Sequence, residues 1–327
     1  MSSAARSQQF YPKADASVSV ASESAFISRA REAADIARRW RSDASKPIPL
    51  ASGRANLVWA FETDDGEYVL KTPGDGESAT DFRLEAAVAR YADDHGVPVA
   101  RALDADSGHV ISERLIGRSL KEIDDAGDEA AVLAAIPDMA RALAAAHRIA
   151  VDGFGLVILG SGETFRGGQP HWARYLLTRL DEHLVLLMNA GFVTAPVVKR
   201  VRRALTPLSD LPDPVGRLLH GDCGPQNAIV DEGGTLRLYD WEDAVAGDPL
   251  FEVAQWTTFQ PERRWAPFFD AYRGETDWRP DLTFWLYHLR ITLAKTAVRA
   301  LLGIADQPGR PTARQRIEES LDRLLAT

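Results

Sequence analysis

The sequence is poor in sulfur, in clustered basic charge and in long apolar runs. Among its 327 residues there is one cysteine, Cys223, and three methionines. A single thiol excludes an intramolecular disulfide and any Cys-rich zinc site, and it is compatible with a reducing compartment. No stretch approaches the roughly 18 consecutive apolar residues that a membrane-spanning helix needs. The opening MSSAARSQQFYPKADASVSV lacks the apolar core of a secretory signal. The formal net charge is −9, and the acidic excess is spread evenly between residues 1–116 and the rest. Contact with a phosphate backbone needs clustered Lys and Arg, so a nucleic-acid partner is disfavoured. These absences predict a soluble, cytoplasmic protein without a nucleic-acid or membrane partner. No internal repeat or low-complexity tract is present.

What is there is an ordinary globular balance, 45% hydrophobic and 26% charged, in a chain long enough for two domains. Residues 1–20 are Ser- and Ala-rich without periodicity and read as a disordered tail. SESAFISRAREAADIARRW carries a helical apolar stripe. NLVWAFET and EYVLK, separated by DDG, read as a hairpin. TDFRLEAAVARYADDHG is a helix stopped by Gly96, and VPVARALDADSGHVISERLIG is strand, turn, strand. Hairpin, helix and hairpin make a small α+β lobe over 21–116. From Gly117 to residue 327 the periodicity is mainly helical. It is interrupted by two short strands, NAIVD and LRLYD, around the turn EGG.

The chemistry concentrates around those strands. His220-Gly221-Asp222 precedes Asn227, and Asp240 ends the second strand. An H-x-D-x-x-x-x-N sequence, a hairpin and then Asp is the arrangement of kinase-type phosphoryl transfer. A loose, metaphosphate-like transition state needs an in-line hydroxyl and cations on the phosphate oxygens. Asp222 suits the proton-accepting role. Mg²⁺ prefers oxygen donors, and the Asn227 amide with the Asp240 carboxylate supplies them beside ATP phosphates.

These stretches resemble the aminoglycoside phosphotransferases, protein-kinase relatives that phosphorylate small molecules. HGDCGPQNAIVD and LYDWEDAVAGDPLFEVA match the family's two signature stretches, with D-W-x at Asp240. The resemblance runs from about Leu50 to Gly303. It implies a bilobed, protein-kinase-like α+β fold with a small sheet-plus-helix lobe and a larger, mainly helical one. It also implies that ATP is a co-substrate, with Mg²⁺, and that the acceptor is a small hydroxylated molecule. Lys71 ends the nucleotide-covering hairpin, and Glu85 sits where its ion-pair partner belongs. HVISERLIG is similar to the strand feeding the adenine pocket, which assigns hydrogen bonds to the backbone of Ser112 and Arg114. VDGFG and YHLRITLAKTAVRALLG look most like hygromycin phosphotransferases. The expected acceptor is therefore an antibiotic of aminoglycoside, nucleoside or peptide type, with resistance or self-protection as the outcome. A metabolic kinase for a choline-, homoserine- or fructosamine-like substrate shares every catalytic residue. A non-catalytic module is the remote alternative.

Two departures stand out. No G-x-G-x-x-G precedes Lys71, so Ser52, Gly53 and Asn56 have to shape the phosphate lid. Glu242 stands two residues after Asp240 where protein kinases have Gly, which makes an activation flip improbable. Glu242 and Asp243 are either a solvated turn or an anionic wall for a substrate ammonium. Trp256 and Arg290 bound the region of late helices expected to meet substrate, although tryptophans there are most simply core. His147 and His220 are expected to be structural, and Asp248 to cap a helix.

Overall fold

The computed structural model describes residues 23–50, 56–74, 81–161, 164–258, 260–276, 279–306 and 311–327. Ser52, Gly53 and the expected tail lie outside them. The described residues divide into two compact units. One comprises parts of 1–122 with 159–165 and 226–242. The other comprises 123–158, 166–225 and 243–327.

The first unit contains a five-stranded antiparallel sheet in the order Ile48–Pro49, Asn56–Thr63, Gly66–Pro73, Val110–Glu113, Ala102–Ala105. The DDG turn closes the central hairpin, with Trp59 opposite Leu70 and Val58 opposite Lys71. Alternation along these strands sends Trp59, Phe61, Leu70 and Ile111 into one cluster with Ala33, Ile36 and Ala37 of the helix Glu23–Trp40. Each such large side chain contributes about 1.5–3 kcal/mol of burial. The helix Phe82–Asp94 is capped by Asp81, whose side chain accepts from Arg83 N. Its buried face carries Phe82, Leu84, Val88 and one acid, Glu85.

A second, three-stranded sheet in this unit runs Leu236–Leu238, Ala228–Asp231, Gly117–Ser119. Its hairpin registers are Ala228↔Leu238, Ile229↔Arg237 and Val230↔Leu236. The Asp231 carboxylate accepts from Gly233 N at 2.9 Å and Thr235 N at 2.8 Å, which ties the turn together. The hairpin is stitched to the preceding lobe where Leu238 N donates to Pro98 O at 2.8 Å and Ala100 N to Leu238 O at 2.9 Å.

The second unit is mainly helical around a four-stranded sheet, Phe165–Gln169, Phe154–Leu159, Val245–Gly247, Arg217–Leu219. Its helices include Glu129–Ala146, Pro249–Thr258, Trp265–Glu275 and Leu282–Leu301. The stretch HWARYLLTRLDEHLVLLMNAG, within the part expected to be mainly helical, is two helices, Trp172–Leu177 and Leu180–Asn189, parted at Arg179 with φ 59°. The break leaves carbonyls that the Arg290 guanidinium satisfies, donating to Leu176 O and to Thr178 O at 2.6 Å each. Among the described residues no helix is long and apolar enough to cross a membrane.

Candidate active site

The hairpin sets two of the candidate residues side by side. Tyr239 N donates to Asn227 O at 3.1 Å, extending the ladder one step past Ala228↔Leu238. Asn227 and Asp240 therefore leave the same end of a two-stranded ribbon. Asp240 adopts φ 68°, a left-handed conformation that Asp tolerates better than most residues. It turns the chain out of the strand immediately at the candidate ligand.

Lys71 reaches this end from the neighbouring sheet. Its Nζ donates to Asp240 Oδ1 at 2.5 Å, Glu85 Oε2 at 3.0 Å and Glu242 Oε2 at 3.1 Å. Asn56 Nδ2 donates to the same Glu242 oxygen at 2.9 Å. Burial opposes the Lys71 charge, but Glu85, Asp240 and Glu242 outweigh it and hold the ammonium well above its ordinary value. Burial also pushes Glu85 from 4.5 up to about 7, helped by Asp240 and Glu242 and opposed by Lys71. Oxygens of Glu85, Asp240 and Glu242 lie within 4.8 Å of one another. One ammonium against three hard oxygen anions leaves a surplus of negative charge, a donor chemistry that fits Mg²⁺.

The second cluster is built entirely within the other unit. The strand Arg217–Leu219 feeds the loop His220–Asp222, and the fully buried Glu252 anchors that loop. Glu252 accepts from His220 N at 2.9 Å, Gly221 N at 2.7 Å and His147 Nε2 at 2.9 Å. His147 Nδ1 then pairs with the Tyr272 hydroxyl at 2.7 Å, so both ring nitrogens are used. Burial pushes the Glu252 carboxyl up, yet the hydrogen bond and charge of His147 and the His220 backbone win, and its pKa is lowered. Gly221 has φ 83°, and a Cβ there would stand 1.8 Å from Asp243 O, so only glycine fits. With the loop so fixed, Asp222 Oδ1 accepts from Lys295 Nζ at 2.9 Å. Cys223 beside it is buried, and burial with the Glu252 and Asp222 charges drives its thiol well up, away from reactivity.

Residues 47–285, well over half of the chain, match the phosphotransferase enzyme family. The chain belongs to this family. Hygromycin-B 4-O-kinase of Escherichia coli is 25% identical over 221 residues, covering 65% of this chain and 62% of that protein. The match thus spans less than two thirds of that relative's length. A thermostable mutant of aminoglycoside phosphotransferase APH(4)-Ia, in ternary complex with AMP-PNP and hygromycin B, has a similar structure. Its TM-score is 0.63 at 22% identity, over 90% of this chain and 97% of that one. A choline/ethanolamine kinase family protein from Mesorhizobium loti has TM-score 0.57 at 21% identity, over 92% and 94% of the two chains. The α+β, protein-kinase-like fold expected for a family member is thereby borne out.

Several expectations need correction within this frame. Arg114 does not offer its backbone N–H to a nucleotide, because that group donates to Glu67 O at 3.0 Å. Ser112 is paired within the sheet, opposite Val69 and Ala102, so its backbone also belongs to the ladder. Glu242 is neither a solvated turn nor a substrate wall; it is the third carboxylate around Lys71. Trp256 is 5% exposed and stacks on Phe268 at 4.0 Å, so it is interior packing and not a sugar platform. Arg290 is 6% exposed and committed to Leu176 O and Thr178 O, so it bridges a helix break and does not meet substrate. Asp248 caps as expected, accepting from Leu250 N at 3.0 Å. Asp243 lies in the unit that carries Asp222, and its charge raises the Lys295 pKa. Lys295 and Glu252 were missed. Glu252 is the lone charge inside the apolar stretch PLFEVAQWTT, and that is the signal it carried, whereas Lys295 shares LTFWLYHLRITLAKTAVRAL with Arg290 and Arg299 and nothing local sets it apart.

Proposed function

We propose that the chain transfers the γ-phosphoryl group of ATP to a hydroxyl of a small polar antibiotic, of the kind represented by hygromycin B, in the cytoplasm. The observation that carries this reading is the Lys71 ammonium, held at once by Glu85 and by Asp240 at the mouth of the Asn227–Asp240 hairpin. Lys71 binds the α- and β-phosphates, and Glu85 keeps its ammonium charged and directed. Asn227 and Asp240 hold Mg²⁺, which neutralises charge on the phosphate oxygens when bound. Asp222 orients the acceptor hydroxyl and takes its proton as the new O–P bond forms and the bond to ADP breaks. Glu252 holds the Asp222 loop by two backbone N–H groups, so the base is placed before substrate arrives. Of the two acids weighed for an acceptor ammonium, Asp243 is the one retained, since Glu242 is engaged with Lys71. The Escherichia coli relative named for hygromycin B supports the antibiotic class.

The test is transfer of labelled γ-phosphate from ATP–Mg²⁺ to hygromycin B, other aminoglycosides, nucleoside and peptide antibiotics, and common metabolic alcohols. A Mg²⁺-dependent phosphorylated antibiotic is the expected product. Turnover confined to choline-, homoserine- or fructosamine-like compounds replaces the antibiotic reading with a metabolic one. Nucleotide binding without turnover on any hydroxyl acceptor leaves a binding module.

A further inference from the structure

The loop that carries Asp222 contains no cation of its own. From Leu218 to Leu236 there is no Lys or Arg. The cation that meets the carboxylate comes from the helix Leu282–Leu301, where Lys295 Nζ donates to Asp222 Oδ1 at 2.9 Å. Its chain neighbours Leu293, Ala294, Thr296 and Ala297 are buried, so the helix is held in place where Lys295 leaves it. The two side chains are 31% and 34% exposed, so the pair is half-buried, and Asp222 is the hydrogen-bond acceptor of the ammonium among the described residues. An arrangement this specific is more than surface pairing, because both partners are fixed before they meet. Glu252 fixes the loop, and helix packing fixes Lys295.

We infer that Lys295 is the positioning residue for the candidate base: it holds Oδ1 of Asp222 so that Oδ2 receives the acceptor proton, and it keeps the carboxylate ionised while the base acts. The inference rests on the assignment of Asp222 as the base, and it adds a residue that neither the catalytic-loop motif nor the hairpin contains. A carboxylate with one oxygen pinned loses its rotational freedom about the Cβ–Cγ bond, and a near-attack geometry tolerates little misplacement. The titratable groups facing the pair are Asp243, the Cys223 thiol and, through the loop, Glu252 and His220. Two of these, Asp243 and Glu252, are acids, so removing the ammonium takes away the cation paired with Asp222 while both acids remain. The carboxylate then holds a proton more tightly, and the acidic limb of the rate profile moves to higher pH.

The experiment compares wild type, Lys295→Met, Lys295→Arg, Asp222→Asn and the double variant Asp222→Asn/Lys295→Met, with ATP–Mg²⁺ and hygromycin B, and with water as the alternative acceptor. Lys295→Met is expected to lower kcat by about 10²-fold, with the ATP dissociation constant within about twofold and the acidic limb displaced upward. Lys295→Arg keeps the charge and is expected to recover part of kcat and the wild-type limb. The double variant is expected to be no slower than Asp222→Asn alone, because the lysine acts through the carboxylate. Full kcat and an unmoved pH limb in Lys295→Met, or additive losses in the double variant, overturn the inference. If Asp222→Asn itself keeps full rate, the base assignment fails first. If neither hygromycin B nor water accepts phosphate, the proposed function fails, and a crystal structure of Lys295→Met still decides the positioning. An Asp222 carboxylate rotated away from its wild-type rotamer supports it, and one that has not moved overturns it.

Discussion

Lys71 faces three carboxylates, whereas Asp222 faces one ammonium. The first cluster is overcharged on the anionic side, and burial raises Glu85 and Glu242 within it. In the proposed function its lysine takes a polyanion and its acids take a divalent cation. The second pairs one carboxylate with one ammonium on an anchored loop, with Glu252 accepting two backbone N–H groups behind it. One cluster is organised to exchange ligands and the other to hold a single group still. The division suits a reaction in which nucleotide and metal come and go while the base has only to be in place.

The largest effect that sharpens this contrast is expected at Asp222. Asp222→Ala is expected to reduce kcat by about 10²–10⁴-fold with ATP affinity nearly unchanged, read by steady-state kinetics and calorimetric titration. A variant that keeps most of its rate would erase the distinction between the clusters. Next comes the anchor. Glu252→Ala leaves the buried His220 N–H and the half-buried Gly221 N–H without their acceptor and is expected to lower stability by about 3–5 kcal/mol, measured by denaturant unfolding. The Glu252 carboxyl is depressed in the folded state. Its stabilisation is therefore present above the unfolded value and is lost as pH falls through the folded one. In Glu252→Gln that acid-side loss is expected to shrink.

In the exchanging cluster the expected effects are on ligands. Asp240→Ala is expected to weaken Mg²⁺-dependent nucleotide binding by roughly tenfold or more, since even outer-shell partners of a metal contribute about that much. Asp240→Asn keeps a residue suited to the left-handed backbone, so comparing the two separates charge from strain. Wild-type Mg²⁺ titrations in both would remove Asp240 from the ligand set. The smallest effect is a pH dependence. Glu85 lies at about 7 in the folded chain against an ordinary 4.5. Between those values the folded chain holds a proton that the unfolded chain has released, so stability falls as pH rises through this window. Glu85→Gln is expected to flatten that segment of the melting-temperature profile of the ligand-free protein. An unchanged slope would show that the cluster carries no such surplus charge.

Local signals accounted for much of this. The spacing from Asp222 to Asn227 and the EGG turn brought Asn227 and Asp240 to one end of a ribbon, because hairpin geometry is written in a few adjacent residues. Glu85 was legible through the family resemblance, which places an acid for Lys71 on the helix that follows it, and the structure pairs the two at 3.0 Å. What failed was register and distance. The likeness of HVISERLIG to the adenine-pocket strand assigns Arg114 to a nucleotide, but a likeness does not fix register to one residue, and its N–H is spent on Glu67. Trp256 and Arg290 were drawn toward substrate by residue type, and tertiary packing took both. Lys295 and Glu252 act on the loop from other helices, across sequence separations that no local pattern encodes.

The second-sheet hairpin, residues 226–242, belongs with the first unit although it follows more than a hundred residues later in the chain. This sets a rule for dissecting the protein by expression of fragments. A cut after residue 122, the natural place to separate an amino-terminal fragment, would strip it of Asp240 and Glu242 and leave Lys71 with Glu85 alone among these carboxylates. It would also remove the strand Ala228–Asp231 that pairs with Gly117–Ser119, exposing an open sheet edge to self-association. A fragment that retains residues 226–242, joined by a designed linker, is the one expected to stay monomeric.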